Sequence, residues 1–261
     1  MSEMDDKDKM KTENKDEEKE QCCWLPLESD PIIMTDYLRS LTNGSTTTIT
    51  NDRYLIDIPS IDLVDEMGIF EFHNIIAYIF LFTMKTYRRL GEYVPLDDDR
   101  IKNLFFMRQF VQNSCGSVAL FHAYINTISS DKLIAGNNND SLIGCFFQEN
   151  RNHTPEERGH SFASNQSIKQ LHHNQAMIGQ SQLPTDEQLS NIDYHYVAFV
   201  PYNGQIFELD GRQSSPILHS SLPSSNNDND NFQRKTLAII KQYMLQDPDS
   251  LQFSLLALCS S

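Results

Sequence analysis

The sequence predicts an α/β fold in which helices flank a central antiparallel sheet within one domain. The chain has 261 residues, of which 39% are hydrophobic, and this is enough for one sizeable core. Stretches with helical periodicity are separated by short runs rich in Ile, Phe, Tyr and Val. An Asn-Gly dipeptide between two alternating runs predicts a tight hairpin, and hence antiparallel pairing.

The first half of the chain supplies helices and strands in turn. Asp30 to Leu41 is predicted to be a helix, because apolar residues share one face of it. Tyr54 to Ile58 is predicted to be a strand, and Ile75 to Phe82 a buried strand. Leu104 to Phe110 is predicted to be a loop or a short strand. A helix from Cys115 to about Ser129 is apolar nearly all round, which predicts that it lies inside the core.

The second half begins with a helix whose start is well marked. Thr154 is suited to the N-cap, Pro155 to the first helical position, and Glu157 closes a capping box. From about Ile168 to Ile192 no period is clear, and such a segment in a compact domain is usually functional or disordered. The remaining segments are a hairpin of Tyr194 to Val200 with Gln205 to Leu209, a flexible insertion at 224–231, a helix at 234–245 and a strand at 251–258.

Composition divides the chain into a tail and a domain. Residues 1–21 are charged and offer no core face, so we expect them to be disordered, and we assign residues 22–261 to the folded domain. The tail lacks the apolar stretch of a secretory signal. The longest apolar run, Ile75 to Met84, is too short to span a bilayer. We therefore expect a soluble protein with no membrane partner.

Net charge and cysteine content limit the function classes. A net charge of −15 argues against nucleic acid as a partner and favours a basic partner surface, although solubility alone would also account for it. The five cysteines are odd in number and lack a Cys-x-x-Cys pattern. Without a secretion signal, a reducing compartment and free thiols are expected, so one thiol could serve as a nucleophile.

Cys115 is the candidate nucleophile. It follows Asn113 and Ser114, which are suited to capping a helix, so it falls in the first turn, where unpaired backbone N–H groups favour an anion. A thiol attacks as the thiolate, and this position would favour that form. Gly116 would leave room for a substrate backbone. A buried structural cysteine is the alternative interpretation of the same local pattern.

His195 and Asp210 are the candidate base and the carboxylate that orients it. If Asn203 and Gly204 form the hairpin loop, counting along the two strands sets His195 opposite Arg212. Asp210 then lies on the same face as His195, as a diagonal neighbour within side-chain reach. A carboxylate so placed would fix the imidazole tautomer and stabilise the imidazolium. A surface His–Asp pair without a catalytic role is the alternative.

Two further residues flank the candidate nucleophile. His122 shares a helix face with Cys115 but is two turns away, about 10 Å, so we expect a core histidine. Gln109 could donate its amide N–H to an oxyanion together with the backbone N–H of Cys115, or be an ordinary polar loop residue. No metal or cofactor is expected. The adjacent His172 and His173 diverge on either a helix or a strand, and no Gly-rich phosphate loop follows a strand.

Taken together, these residues resemble the ubiquitin C-terminal hydrolase family of papain-like cysteine peptidases. Gln109 to Gly116, followed by His122, is similar to the family's active-site signature, with Phe121 departing where an aliphatic residue is usual. His195 and Asp210 match the family's spacing between base and orienting carboxylate. The other blocks that resemble the family are Trp24 to Glu28 at its opening, Glu208 to Arg212 around the Asp, and residues 247–249 and 253–258 at its end.

The resemblance covers about residues 24–258 and implies a function and a set of roles. Gln109 would be the oxyanion donor, Cys115 the nucleophile, His195 the base and Asp210 its orienter. The protein would be a thiol-dependent deubiquitinating hydrolase that cleaves amide, ester or thioester bonds after the C-terminal glycine of ubiquitin. The segment near 168–192 would be the family's crossover loop over the active site, and would favour small or unfolded leaving groups.

The resemblance also implies the partners and the type of enzyme. Ubiquitin and C-terminal adducts of ubiquitin or its relatives would be the partners of a monomer in the cytoplasm, or in both cytoplasm and nucleus. Since no long extension follows Ser261, the chain is similar to the short, free-standing members. Two alternatives stay open. Another Cys–His–Asp acyl-transfer enzyme, such as a transglutaminase or arylamine acetyltransferase, would need neither Gln109 nor the Trp24 block. A ubiquitin-binding module with a dead site would not need an intact set of catalytic residues.

Overall fold

The computed structural model describes residues 23–43, 53–85, 87–130, 133, 141–180, 182–222, 228–250 and 252–260. Within these ranges, seven strands form one sheet in which neighbouring strands are antiparallel. The strands are β1 (Arg53–Asp57), β2 (Asn74–Thr83), β3 (Glu92–Tyr93), β4 (Tyr194–Tyr202), β5 (Gln205–Leu209), β6 (Ile217–Ser221) and β7 (Ser254–Ser260). Their order across the sheet is β1-β7-β2-β4-β5-β6-β3.

Helices cover both faces of this sheet. They are α1 (Pro31–Thr42), α2 (Ile69–Phe72), α3 (Cys115–Asn126), α4 (Leu142–Asn150), α5 (Pro155–Ser164), α6 (Gln166–Ala176), α7 (Asp186–Leu189) and α8 (Asp228–Met244). Short 3-10 turns occur at Ile61–Leu63 and Asp99–Ile101. None of the helices seen in the described residues is long and apolar enough to cross a membrane.

The central strands are apolar on both sides because each face of the sheet meets its own core. In β4, Ala198 and Val200 face the core that contains α3, whereas Val197 and Phe199 face the core that contains α8. β7 alternates in the same way between the two cores. Burial on both faces accounts for the near-continuous apolar runs that predicted buried strands.

Several predicted elements are confirmed within a few residues. The α1 helix, the strands β1, β2 and β7, and the hairpin of β4 with β5 lie where the sequence predicts them. The predicted capping box is present, with Thr154 and Glu157 exchanging both hydrogen bonds at the start of α5. The α3 helix is buried along its length, as its apolar surface predicts, although it ends at Asn126 rather than near Ser129.

The prediction of an irregular segment from Ile168 to Ile192 is wrong in its first half. Residues 166–176 form α6, and only the part after it combines loop with the single turn of α7. The buried side of α6 includes His172 and Gln175, so its helical period is carried partly by polar residues and escapes a search for apolar ones. The flexible insertion predicted at 224–231 is helical from Asp228 onwards. The predicted tail at 1–21 lies outside the described residues.

Candidate active site

Cys115 is the first residue of α3, where the chain turns abruptly into the helix. Asn113 has a left-handed backbone with φ of +64°, which asparagine tolerates better than most residues. Its side chain donates to the Leu189 carbonyl (3.1 Å) in α7. Ser114 occupies the N-cap position, but its hydroxyl donates to the Val111 carbonyl (2.8 Å) and caps no helix N–H group. The predicted side-chain cap is therefore absent at Ser114, and the helix N-terminus keeps its donors for other acceptors.

A buried hydrogen-bond chain anchors the first turns of α3. His172 Nε2 lies 2.6 Å from the Leu25 carbonyl, which can only accept, so this nitrogen carries the proton. Nδ1 then accepts from the Ser117 hydroxyl at 2.7 Å, and Ser117 accepts from the Tyr37 hydroxyl at 2.8 Å. The chain ties the helix of Cys115 to α1, to α6 and to the segment that opens the domain. Burial lowers the pKa of His172 to about 4, so the ring is neutral.

The hairpin forms as the Asn-Gly signal predicts. Asn203 and Gly204 both have positive φ, at 48° and 70°, as a two-residue turn of this kind requires. The predicted register holds from the loop as far as the pair of Ala198 with Leu209, where the ladder ends. Asp210 therefore follows β5 in a turn, and is not a diagonal neighbour of His195 within a continuing ladder.

His195 and Asp210 nevertheless meet. His195 Nε2 lies 2.6 Å from Asp210 Oδ1, and both side chains are fully buried. The Arg212 backbone N–H donates to the same oxygen at 2.9 Å, and Gln213 Nε2 donates to Oδ2 at 3.1 Å. Burial opposes ionisation of the carboxyl, but these hydrogen bonds outweigh it and hold the pKa of Asp210 below its ordinary value. The carboxylate is thus charged and points at the imidazole.

The opposite ring nitrogen is the one available to the sulfur. His195 Nδ1 is buried and makes no hydrogen bond of normal geometry within the part of the chain that the structure describes. Burial alone would lower the pKa of His195, yet Asp210, and to a lesser extent Cys115, raise it to about 9. Burial likewise opposes the thiolate, yet His195 and the backbone of Tyr196 lower the pKa of Cys115. These shifts favour an imidazolium next to a thiolate.

Gln109 lies beside the same turn as Asp210. Its backbone N–H donates to the Gly211 carbonyl at 2.7 Å, and its side-chain Nε2 donates to the Val111 carbonyl at 2.9 Å. Its side-chain oxygen is buried and has no partner among the described residues. Since an amide carries two N–H groups, the second remains able to donate to an oxyanion.

His122 is a satisfied core residue, as the sequence predicts. Its Nε2 accepts from the Met107 backbone N–H at 3.0 Å, so Nδ1 carries the proton towards the Leu209 carbonyl at 3.3 Å. Burial lowers the pKa of His122 to about 4. The ring links the strand that precedes Asp210 to the segment that precedes Gln109, and leaves neither nitrogen for catalysis.

An open cleft leads to Cys115. It has a volume of about 330 Å³, and one wall comes from the domain opening, including Leu27 and Glu28. The residues after α6 also line the cleft, among them Gly179 and Leu183. The second half of the segment predicted to cross the active site therefore borders the cleft, and Glu28 accepts from the Gln180 backbone N–H at 2.7 Å.

Sequence reasoning missed two contributors to this site. Gln213 was not singled out, because a lone glutamine after a turn carries no signal until the turn folds back on Asp210. His172 was weighed only as a metal ligand, and the structure instead hydrogen-bonds it to Ser117 in α3, the helix that begins with Cys115. Among the described residues, no group of three or more His, Cys, Asp or Glu side chains is arranged to hold a metal ion.

Comparisons with known proteins identify the family to which this chain is similar. Residues 24–245 match the family described as ubiquitin carboxyl-terminal hydrolase, family 1. A ubiquitin carboxyl-terminal hydrolase of Drosophila melanogaster is 30% identical over 247 residues, covering 91% of this chain and 98% of that protein. Ubiquitin carboxyl-terminal hydrolase 3 of Arabidopsis thaliana is 30% identical over 242 residues, covering 90% and 93%.

A likeness in fold extends to a solved structure. The catalytic domain of Trichinella spiralis UCH37, bound to ubiquitin vinyl methyl ester, matches with a TM-score of 0.66 at 22% identity. The match covers 91% of this chain and 96% of that one. The predicted class, a central antiparallel sheet flanked by helices, is thereby confirmed.

Proposed function

This chain belongs to family 1 of the ubiquitin carboxyl-terminal hydrolases, and we propose that it hydrolyses the bond that follows the C-terminal glycine of ubiquitin. One observation carries the proposal. The pKa of the Cys115 thiol at the floor of an open cleft is lowered by His195, which is itself hydrogen bonded to a buried carboxylate. A structural cysteine sealed in apolar packing would have a raised pKa instead, as the buried Cys259 does, at about 12.

Acylation follows from the protonation states of the pair. The Cys115 thiolate attacks the carbonyl carbon of the terminal glycine, and negative charge develops on the carbonyl oxygen. Gln109 and the backbone N–H of Cys115 donate to that oxygen. The His195 imidazolium then gives its proton to the leaving group as the carbon–leaving-group bond breaks, and a thioester remains on Cys115.

Deacylation reverses the role of His195. Neutral after the first step, it takes a proton from water, and the resulting hydroxide attacks the thioester carbonyl. The bond to sulfur breaks, ubiquitin leaves as a carboxylic acid that gives its proton to solvent, and the thiolate–imidazolium pair is restored. Asp210 keeps the ring oriented and stabilises its charged form in both steps, without taking the proton itself.

The leaving group has to pass the segment that borders the cleft. This segment runs from the end of α6 to β4, with Gly179 and Leu183 in the wall of the cleft. A hydrogen bond from the Gln180 backbone N–H to Glu28 joins it to the segment that opens the domain. A span closed in this way admits a flexible chain or a small group but not a folded body, so we propose a preference for small or unfolded leaving groups.

Ubiquitin is the partner in this proposal, and charge favours the encounter. The net charge of −15 suits the basic C-terminal tail of ubiquitin, and Glu28 stands in the cleft wall. Attraction of this kind raises the association rate and weakens as salt is added. Neither a metal nor a cofactor enters the proposed steps.

An electrophilic ubiquitin tests the proposal directly. Ubiquitin bearing a C-terminal vinyl methyl ester should form one covalent adduct, located by peptide mass spectrometry at Cys115. Cys115→Ala should abolish the adduct and turnover of a C-terminal fluorogenic amide of ubiquitin, while Cys145→Ala keeps both. An adduct that survives in Cys115→Ala would refute the assignment.

Turnover of ubiquitin fused to a short peptide, compared with turnover of ubiquitin fused to a stable folded domain, tests the leaving-group preference.

A further inference from the structure

The second oxygen of Asp210 has a side-chain partner of its own. Oδ1 accepts from His195 Nε2 and from the Arg212 backbone N–H, whereas Oδ2 accepts from Gln213 Nε2 at 3.1 Å. A carboxylate can rotate about its last side-chain torsion, and its two oxygens are chemically equal. The donors around the carboxylate make the two oxygens unequal, and Gln213 holds Oδ2 on one side while Oδ1 faces the imidazole.

The backbone brings Gln213 to this place. Its N–H donates to the Asp210 carbonyl at 2.9 Å, which closes a four-residue turn directly after β5. The turn folds the Gln213 side chain back towards the carboxylate that begins it. Gln213 is half-buried, so its hydrogen bond is partly shielded from water.

A third residue fixes which end of the amide faces Asp210. The Tyr93 hydroxyl in β3 donates to Gln213 Oε1, and this directs Nε2 at the carboxylate. The reverse orientation would set an amide oxygen against a negative oxygen and remove the acceptor of Tyr93. The Arg89 guanidinium lies 3.6 Å from the centre of the Tyr93 ring, a cation–π contact that holds the ring in place.

We propose that Gln213 is a positioning residue that fixes the Asp210 carboxylate for His195, and that Tyr93 sets the direction of its amide. This inference rests on the proposed function, because it assumes that Asp210 orients a catalytic His195. The relay runs from an exposed tyrosine at the sheet edge, through one amide, to the buried pair. β3 has only two residues and pairs with β6, so the short edge strand gains a role.

Two substitutions at one position separate positioning from packing. Gln213→Met keeps the length of the side chain but removes the donor, and should lower kcat about tenfold with KM within about twofold. Gln213→Glu keeps an acceptor for Tyr93 but sets a second carboxylate against Asp210. At pH 8 it should be about tenfold slower than Gln213→Met.

Lowering the pH should then rescue only the glutamate variant. When Glu at this position takes up a proton it can donate to Asp210 Oδ2, so kcat of Gln213→Glu should exceed that of Gln213→Met at pH 6. The charged groups around this position are Asp210, which contacts Gln213, His195 beyond it, the sequence neighbour Arg212, and Arg89 beyond Tyr93, whereas His122 is neutral at both pH values. All of these are shared by both variants, so the ratio of the two rates isolates the substituted residue. Equal rates for the two variants at every pH would overturn the inference.

Tyr93→Phe tests the outer end of the relay. It should lower kcat about threefold in the wild-type background and have no effect in Gln213→Met, because the amide that it directs is gone. Equal effects in both backgrounds would refute the role of Tyr93. Ser214→Ala, at an exposed neighbouring residue, is the matched control.

Asp210→Asn distinguishes failure of the proposed function from failure of the present inference. If this variant keeps full activity, the proposed role of Asp210 fails. If it is inactive while both Gln213 variants match wild type, only the present inference fails.

Discussion

His195 Nε2 lies 2.6 Å from Asp210 Oδ1 at the open end of the β4–β5 hairpin, and neither side chain is exposed to solvent. A charged pair without access to water interacts strongly, because little dielectric screening remains. Breaking such a pair from one side leaves an uncompensated buried charge, which is costly. The protein therefore holds His195 in the protonated form that a thiolate and a leaving group both need.

The protonation states predict the pH range of activity. Since the pKa of His195 is raised to about 9, the ring keeps its proton through neutral pH and loses it only above that value. Since the pKa of Cys115 is lowered, the thiolate persists below the usual range of a thiol. We expect kcat/KM to be flat around neutral pH, to fall as pH rises through about 9, and to fall on the acid side as the thiolate is protonated.

Alkylation by iodoacetamide reports the thiolate without turnover. In a variant with Cys22, Cys23 and Cys145 replaced by Ser, the reactive thiol is Cys115, because burial raises the pKa of Cys259 to about 12 and keeps that thiol protonated. The alkylation rate should reach its plateau below the pH expected for an ordinary thiol, and His195→Gln should move the midpoint upward. A midpoint in the wild-type protein equal to that of a free thiol would contradict an ion pair.

Much of this site follows from local sequence rules. The Asn-Gly turn fixes the register of the hairpin, and the register brings His195 and Asp210 to the same end of it. The position of Cys115 at a helix start follows from the residue types around it, although Ser114 turns its hydroxyl away from the helix. The contact of α3 with β4 does not follow from local rules. The sequence pattern within each element shows that one face is buried, but not which distant element packs against that face.

Buried histidines predict acid sensitivity of the fold. Burial lowers the pKa of His172 to about 4, whereas a histidine in the unfolded chain titrates near 6.5. The unfolded state therefore binds this proton first. The stability that the neutral ring supports is present above pH 6.5 and is lost as pH falls towards 4. From pH 7.5 to pH 5, this one group should cost about 2 kcal/mol of unfolding free energy.

Urea unfolding at the two pH values measures this cost. The loss between pH 7.5 and pH 5 should be about 2 kcal/mol smaller in His172→Gln than in wild type. His173→Gln, which replaces an exposed neighbour on the same helix, should change this loss far less than His172→Gln does, because burial is the main cause of the lowered pKa of His172. If His172→Gln showed the full wild-type loss, the buried ring would not be the titrating group.

Glu208 predicts a large stability effect away from the active site. This buried carboxylate, two residues before Asp210, accepts from the Tyr87 hydroxyl (2.6 Å), the Tyr243 hydroxyl (2.7 Å) and His219 Nε2 (2.7 Å). The three donors come from the chain before β3, from α8 and from β6. Glu208→Ala leaves all three without their acceptor, and we expect a loss of about 3 kcal/mol in unfolding free energy.

The comparison variant for this prediction is Glu71→Ala, which removes an exposed carboxylate and should change stability by less than about 0.5 kcal/mol. Coupling can be measured as well. Tyr87→Phe should lower the unfolding free energy of the wild-type protein. The loss should be much smaller in the Glu208→Ala background, because the hydrogen bond between Tyr87 and Glu208 is already absent there. Additive losses would show that Tyr87 and Glu208 act independently.

The parts of the structure that the sequence did not reveal share one physical cause. The two-residue strand β3 exists because Glu92 and Tyr93 pair with β6, and two residues carry no periodic signal. The α6 helix buries His172 and Gln175, whose hydrogen bonds to Leu25 and Ile33 are satisfied only in the folded protein. In both cases tertiary partners, and not local preference, decide the structure.

Gly159 supplies a prediction about the segment that carries Gln109. A Cβ built at this helical position would lie 2.1 Å from the Arg108 carbonyl oxygen and 2.8 Å from the Phe110 ring. The contact is with backbone, which cannot rotate away, so Gly159→Ala must push α5 and the 108–110 segment apart. We expect a loss of about 2 kcal/mol in stability. Turnover should fall about tenfold at constant KM, because Gln109, the proposed oxyanion donor, moves while the cleft wall does not.

Ser161→Ala, on the same helix, separates helix effects from contact effects, since it should leave both stability and kcat within error of wild type. The rate and the stability of Gly159→Ala should also respond differently to temperature. At 10 °C the Gly159→Ala protein should be fully folded. Its kcat should still be lower than that of wild type, because Gln109 is displaced within the folded protein. A kcat that returns to the wild-type value once the protein is fully folded would show that Gly159 serves stability alone and that Gln109 is positioned by its bonds to Gly211 and Val111.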